Sequence, residues 1–192
     1  YEYSDEELTA LLGPLSSRFA GSAPRLPREQ AIENVLQANK LLVTSHLVLD
    51  DDASEFTQGR LNLVTCDSLE GLTQRRVVYR VLRWLEETAP GPNLTVHAQR
   101  PTKGDGRRVL YLDFDGVLHN EDVRWHPRRG AYMHPAGFHL FEHAALLDKL
   151  LAPFHDLDIV LSTTWVRKYG CYQSAMRLPP GLRRRVIGAT FH

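Results

Sequence analysis

The feature that most constrains this chain is an apolar run that ends in paired carboxylates: Arg107-Arg108-Val109-Leu110-Tyr111-Leu112-Asp113-Phe114-Asp115-Gly116-Val117-Leu118. Val109 to Leu112 carries no polar alternation, which is the pattern of a strand buried on both faces in a parallel sheet. Residues two apart on a strand point the same way, so Asp113 and Asp115 can converge at its C-terminal end. Ligands of open α/β sheets bind outside those ends. Gly116 permits a sharp turn just past the pair. Two carboxylates that close repel each other, and a bound cation or a shared proton relieves the repulsion. Asp115-Gly116 can also be read as a plain turn. A calcium loop also opens Asp-x-Asp, but it wants an oxygen ligand where Val117 stands, and a buried strand is the wrong lead-in for it.

Asp113-Phe114-Asp115-Gly116-Val117-Leu118 resembles motif I of the haloacid dehalogenase (HAD) superfamily, Asp-x-Asp-x-[Thr/Val]-Leu. The resemblance covers residues 107–192. It implies a Rossmann-like parallel sheet, with Asp113 as nucleophile, Asp115 as general acid/base, and Mg²⁺ bound by Asp113 and Asp115. It further implies a hydroxyl residue at the end of the next strand, and Asp158-Ile159-Val160-Leu161-Ser162-Thr163-Thr164-Trp165 supplies candidates. A Trp two residues beyond points to Thr163 as motif II, while Ser162 directly follows the apolar run. Thr163 or Thr164 could instead cap a helix, which is compatible because a helix N-terminus is itself an anion site. Leu-Ser-Thr-Thr-Trp-Val, with Arg-Val-Ile-Gly-Ala-Thr near the end, is similar to a bacterial branch associated with nucleic-acid repair proteins. Gly116, Ser162, Thr163, Arg167 and Lys168 are the expected substrate-binding residues.

The resemblance also asks for a Lys or Arg as motif III. Arg167, Lys168 and Arg183 to Arg185 are candidates, and none stands out. Motif IV requires acidic metal ligands, yet residues 159–192 contain no Asp or Glu. With no initiator Met and an abrupt last segment, the chain reads as a piece cut before motif IV. Weak Mg²⁺ binding by residues 1–192 is the corresponding expectation.

The first half reads differently. Ser4-Asp5-Glu6-Glu7 opens a helix by a capping box, and Pro27 starts a second one running to about Leu42. Val43 to Leu49 is ambiguous between helix and strand. Asp50-Asp51-Asp52 lacks supporting ligands at metal spacing, so it reads as a cap or a solvated loop. Leu72 to Thr88 is clearly helical, with Val77, Val78, Val81, Leu82 and Leu85 as its apolar stripe. Arg75, Arg76, Arg80 and Arg83 lie toward the other side and read as a solvated face. Pro- and Gly-rich stretches then mark a boundary. The expected organisation is a helical adaptor-like module over 1–90, a linker over 91–107 and a HAD-like domain over 108–192. The front module is similar, on no particular motif, to adaptor domains of bacterial conflict systems, which implies a protein partner.

Within the second half, residues 121–135 are too irregular for a core element and read as the mobile flap that follows motif I in the resembled superfamily. Gly137 to Leu151 reads as a helix, which would put His139 and His143 one turn apart. Without a third ligand that pair reads as surface or capping histidine rather than as zinc. His119 could meet substrate.

Residues 1–107 carry 12 basic and 15 acidic side chains, residues 108–192 carry 11 and 8, and the net charge is zero. The balance therefore does not mark the whole chain as a polyanion binder. Cys66 and Cys171 form no disulfide framework. With no membrane-spanning apolar stretch and no signal-peptide pattern, a cytoplasmic protein is expected. The functional expectation is a Mg²⁺-dependent phosphohydrolase that forms an aspartyl-phosphate. Its substrate would be a phosphorylated small molecule, a nucleotide or a nucleic-acid end. The alternative is a catalytically incomplete HAD-fold interaction or regulatory protein.

Overall fold

The computed structural model of the chain describes residues 26–38, 43–88, 107–134 and 136–190. The expected first helix, Asn39 to Leu42, and most of the expected linker lie outside the described residues. The described chain runs through α1 (Arg28–Ala38), β1 (Val43–Asp50), β2 (Leu63–Thr65), α2 (Arg75–Glu87) and β3 (Arg107–Leu112). It continues through β4 (Val123–His126), β5 (Gly130–Met133), α3 (Ala144–Leu151), β6 (Leu157–Leu161), α4 (Trp165–Ala175), α5 (Pro180–Arg183) and β7 (Val186–Ala189).

Five strands form one parallel sheet in the order β2-β1-β3-β6-β7. β3 is central and its backbone is satisfied on both sides, by β1 and by β6. That explains why Val109 to Leu112 is uniformly apolar, since a parallel strand covered on both faces has no solvent side. Alternate residues serve two cores. Leu47, Leu49, Leu110, Leu112, Ile159 and Leu161 cluster with α2, α3 and α4. Val48, Val109, Tyr111 and Val160 cluster on the opposite face with Ile32 of α1 and with Phe56. The result is helices on both faces of a parallel sheet.

Three expectations change here. The division into a helical module over 1–90 and a separate sheet from 108 does not describe residues 43–88. Helices do precede β3, but Val43–Asp50 is a strand paired with β3 along most of its length. Its β-prone residues can bury both faces only inside that sheet, which settles the helix-or-strand ambiguity. The protein partner expected of a helical front module loses that basis.

Second, residues 123–133 form an antiparallel hairpin, with Val123 opposite Met133 and Trp125 opposite Ala131. Gly130 closes its turn at φ 75°. Third, the helix expected from Gly137 begins only at Ala144. Phe141 holds φ 60°, a left-handed conformation that no helix interior accepts. His139 and His143 therefore do not share a helix face.

Candidate active site

β1 and β3 run side by side and in parallel, so their C-terminal ends lie together. β1 ends in Asp50 and is followed by Asp51, while β3 is followed by Asp113. One carboxylate oxygen from each of Asp50, Asp51 and Asp113 falls within 4.8 Å of the other two. This corrects the reading of Asp50-Asp51 as a cap or solvated loop. The acidic side chains that lie beside Asp113 come from upstream, at the end of the neighbouring strand. Asp52 alone behaves as expected, its Oδ1 accepting from the Ser54 N–H at 2.9 Å to cap a short turn.

Arg28, at the start of α1, reaches into this cluster. Its Nη1 donates to Asp50 Oδ2 at 2.5 Å and to Asp113 Oδ2 at 2.8 Å. Burial alone would lower the guanidinium's affinity for its proton, but the charges of Asp113 and Asp50 outweigh it, and the net shift is upward. The carboxyls are shifted the other way. Burial pushes Asp113 well above the usual range, opposed by Arg28 and reinforced by the charge of Asp50. Burial raises Asp50 too, against the pull of Arg28. Asp51 is pushed up to about 6 by burial and by the Asp50 charge.

Three carboxyl groups share one guanidinium, which pairs with Asp50 and Asp113, so the cluster is short of positive charge. The donors are all carboxylate oxygens, the hard ligands Mg²⁺ prefers. This donor set fits a Mg²⁺ ion, which Asp50, Asp51 and Asp113 would hold. The Asp115 carboxylate, expected as a ligand, lies outside this trio.

Gly116 is fixed by the same assembly. It adopts φ 66°, and a Cβ at this position would collide with the Asp51 carboxylate. Its glycine therefore answers two demands at once, a left-handed turn and the close approach of Asp51.

Asp115 is held from the opposite side. Its Oδ1 accepts from the Trp165 indole Nε1 at 2.8 Å and lies 3.1 Å from His119 Nε2. The Phe141 backbone N–H donates to His119 Nδ1 at 3.3 Å, so Nε2 carries the proton and donates to Asp115. His119 is fully buried, its ring 4.9 Å from that of Phe141 and 5.7 Å from that of Trp165. The left-handed Phe141 is part of this packing. Its own ring sits 5.3 Å from Trp165 and 5.1 Å from Phe114. With Oδ1 taken by two donors, Oδ2 is the oxygen free to exchange a proton. The Thr164 hydroxyl is its neighbour at 3.5 Å.

The hydroxyl cluster divides. Ser162 is buried, and its Oγ accepts from Thr190 Oγ1 at 3.1 Å. Thr163 is buried, and its Oγ1 accepts from the Trp165 N–H at 3.4 Å. Thr164 is exposed at the start of α4 and faces Asp115. Beside Asp115 opens a cavity of about 140 Å³, bordered by Thr164, Trp165, Lys168 and Tyr169 of α4 and by Trp125 of the hairpin. Arg167 is exposed on α4 and does not border it. Asp115 opens to this space with 28% of its side chain exposed, whereas Asp113 is only 4% exposed, with Arg28 on its Oδ2.

The sequence pattern named Asp113, Asp115 and Gly116, and the structure sets beside them Arg28, Asp50, Asp51 and Trp165, which the pattern did not name as their partners. A signal for the acidic pair was present. Leu47-Val48-Leu49-Asp50-Asp51 repeats the pattern of Leu110 to Asp113, an apolar strand that ends in carboxylates.

Residues 109–192 match the family described as the HAD domain in Swiss Army Knife RNA repair proteins. That segment is a HAD-like domain, and its α/β architecture with a parallel sheet is the HAD one. The match contains Asp113, Asp115 and the hydroxyl cluster. Arg28, Asp50 and Asp51 lie before it, on elements that the sheet brings alongside. No curated protein and no solved structure matches the chain. Among the described residues no helix is long and apolar enough to cross a membrane.

Proposed function

We propose that this chain, whose residues 109–192 are a HAD-like domain, is a Mg²⁺-dependent phosphohydrolase that removes a terminal phosphate from nucleic acid. The observation that carries the reading is the meeting of Asp50 and Asp51 with Asp113 at the ends of two adjacent strands. The family's printed description, RNA repair, supports a nucleic-acid end as substrate. A 3′- or 5′-phosphate on such an end is a phosphomonoester, the bond an aspartate nucleophile can open.

Asp113 attacks phosphorus and forms an aspartyl-phosphate. Asp115, through Oδ2, gives its proton to the departing oxygen. It then takes a proton from the water that attacks the aspartyl-phosphate and frees inorganic phosphate. The two donors on Oδ1 keep Asp115 turned toward the cavity through both steps. Arg28 offsets part of the negative charge that gathers when a phosphate meets the aspartates. Thr164, at the start of α4, is placed to orient a phosphoryl oxygen, with the helix N-terminus behind it. A bound Mg²⁺ would shield the anionic nucleophile from the anionic substrate and stabilise charge in the transition state.

One observation favours a second reading, a non-catalytic module that keeps the fold: Asp113 is buried and Arg28 occupies its Oδ2. A phosphate-release screen separates the two. It uses oligoribonucleotides with 3′- or 5′-phosphate, mononucleotides and glycerol phosphate, each with Mg²⁺ or with chelator. Release that requires Mg²⁺ and favours the nucleic acids supports the phosphohydrolase. No release from any substrate supports the module.

A further inference from the structure

The hairpin β4–β5 places a large aromatic ring beside Asp115. Trp125 borders the cavity that Asp115 opens into, and it is 50% exposed. Its cross-strand partner is Ala131, which also borders the cavity. The Lys168 ammonium sits 4.3 Å from the ring centroid, a cation–π contact that ties the hairpin to α4 across the cavity. Arg124, next to Trp125, also borders the cavity.

An exposed tryptophan by itself is ordinary. This one is held by a cation from α4 and borders the same cavity as Asp115. Indole is the best stacking surface among side chains for a flat heterocycle, and such stacking tolerates any base. Lys168 adds positive charge where the sugar-phosphate would pass, whereas Arg124 is paired with Asp122.

Resting on the phosphohydrolase reading for its substrate, we propose that Trp125, steadied by Lys168, is a stacking platform for the base of the nucleotide that carries the terminal phosphate. Phosphate chemistry belongs to the strand ends and preference for nucleic acid belongs to the hairpin. The platform selects a nucleobase as a class and does not choose among bases.

The test uses the full chain and two readouts. The first is the ratio of kcat/KM for a phosphorylated oligoribonucleotide or a mononucleotide to that for glycerol phosphate. W125A lowers this ratio about 5- to 150-fold, the range expected for one lost stack, and W125Y keeps most of it. A fall for both nucleic substrates supports the platform with the terminal nucleotide sufficient. A fall for the oligonucleotide alone supports it with the strand required. An unchanged ratio overturns it. The second readout is binding of a fluorescently labelled oligonucleotide by anisotropy, which needs no turnover. If the unaltered chain releases no phosphate, the phosphohydrolase reading fails, and binding alone decides the platform. Weaker binding by W125A with recovery in W125Y then upholds it, and equal binding by all three overturns it.

Discussion

Replacing Gly116 with alanine tests whether the acidic strand truly closes on the nucleophile strand. Gly116 holds φ 66°, and its missing side chain makes room for Asp51. Forcing an alanine into the left-handed region costs about 1–2 kcal/mol. The new methyl also meets three atoms of the Asp51 side chain, including its Cβ, so a rotation of the carboxylate tip does not clear it. Overpacking of this kind costs about 1–3 kcal/mol. Together the two predict that Gly116→Ala destabilises the fold by about 2–5 kcal/mol. Urea denaturation in chelator measures this without a contribution from bound metal. The same shift moves Asp51 away from Asp50 and Asp113, so calorimetric Mg²⁺ affinity falls on the order of 10–100-fold. Adding Asp51→Gly to the alanine variant relieves the collision but not the backbone strain, so part of the lost stability returns and the metal affinity does not. A Gly116→Ala protein within about 0.5 kcal/mol of the original and with unchanged Mg²⁺ affinity would refute the reasoning.

Arg28→Met leaves Asp50 and Asp113 buried without their cation, so stability in chelator drops by about 3–5 kcal/mol, and saturating Mg²⁺ restores more of it than it adds to the original protein. Equal Mg²⁺ stabilisation of both proteins in thermal melts would contradict the shared-charge account. Trp165→Phe keeps an aromatic ring near Phe141 but removes the donor to Asp115 Oδ1, so kcat should fall about tenfold or more on esters with poor leaving groups and less on activated ones. An equal loss on both would assign Trp165 to packing alone. His46 gives the pH dependence. Burial lowers it from 6.5 to about 4, so the folded state holds it neutral while the unfolded chain protonates it. Its stabilisation is complete above pH 6.5 and is lost as pH falls toward 4, by about 2 kcal/mol after allowance for partial exposure. His46→Gln should flatten that part of the stability–pH curve, and denaturant midpoints across the range would show it.

The parts of the fold visible in the sequence were those set by local pattern. Val109 to Leu112 and Ile159 to Leu161 read as buried strands because nothing polar interrupts them. Val77, Val81 and Leu85 spelled out α2, and Arg75, Arg76, Arg80 and Arg83 are exposed as a solvated face should be. The failures were of two kinds. Long-range neighbours carry no local mark: Asp50 and Asp51 meet Asp113 only because β1 pairs with β3, and Arg28 joins them only because α1 packs behind Val48 and Tyr111. The expectation of weak Mg²⁺ binding rests on the residues that follow motif I, whereas Asp50 and Asp51 precede it. The second kind is backbone exceptions. Phe141 lies in a stretch of helical periodicity and breaks it, because its left-handed turn delivers an N–H to His119 and a ring to Trp165. The hydroxyl cluster shows the same limit at one-residue scale. Pattern alone pointed to Thr163 or Ser162, but the turn into α4 buries both and leaves Thr164 beside Asp115.

Phosphate release by the unaltered chain and by Asp113→Asn, from one phosphorylated oligoribonucleotide, tests the central claim most directly. Asparagine keeps the shape of the residue but is no nucleophile, and circular dichroism would confirm that the fold survives. The account predicts release in Mg²⁺ by the unaltered chain, none in chelator, and loss of about 1000-fold or more in the variant. Near-normal release by Asp113→Asn, or release that proceeds unchanged in chelator, would contradict it.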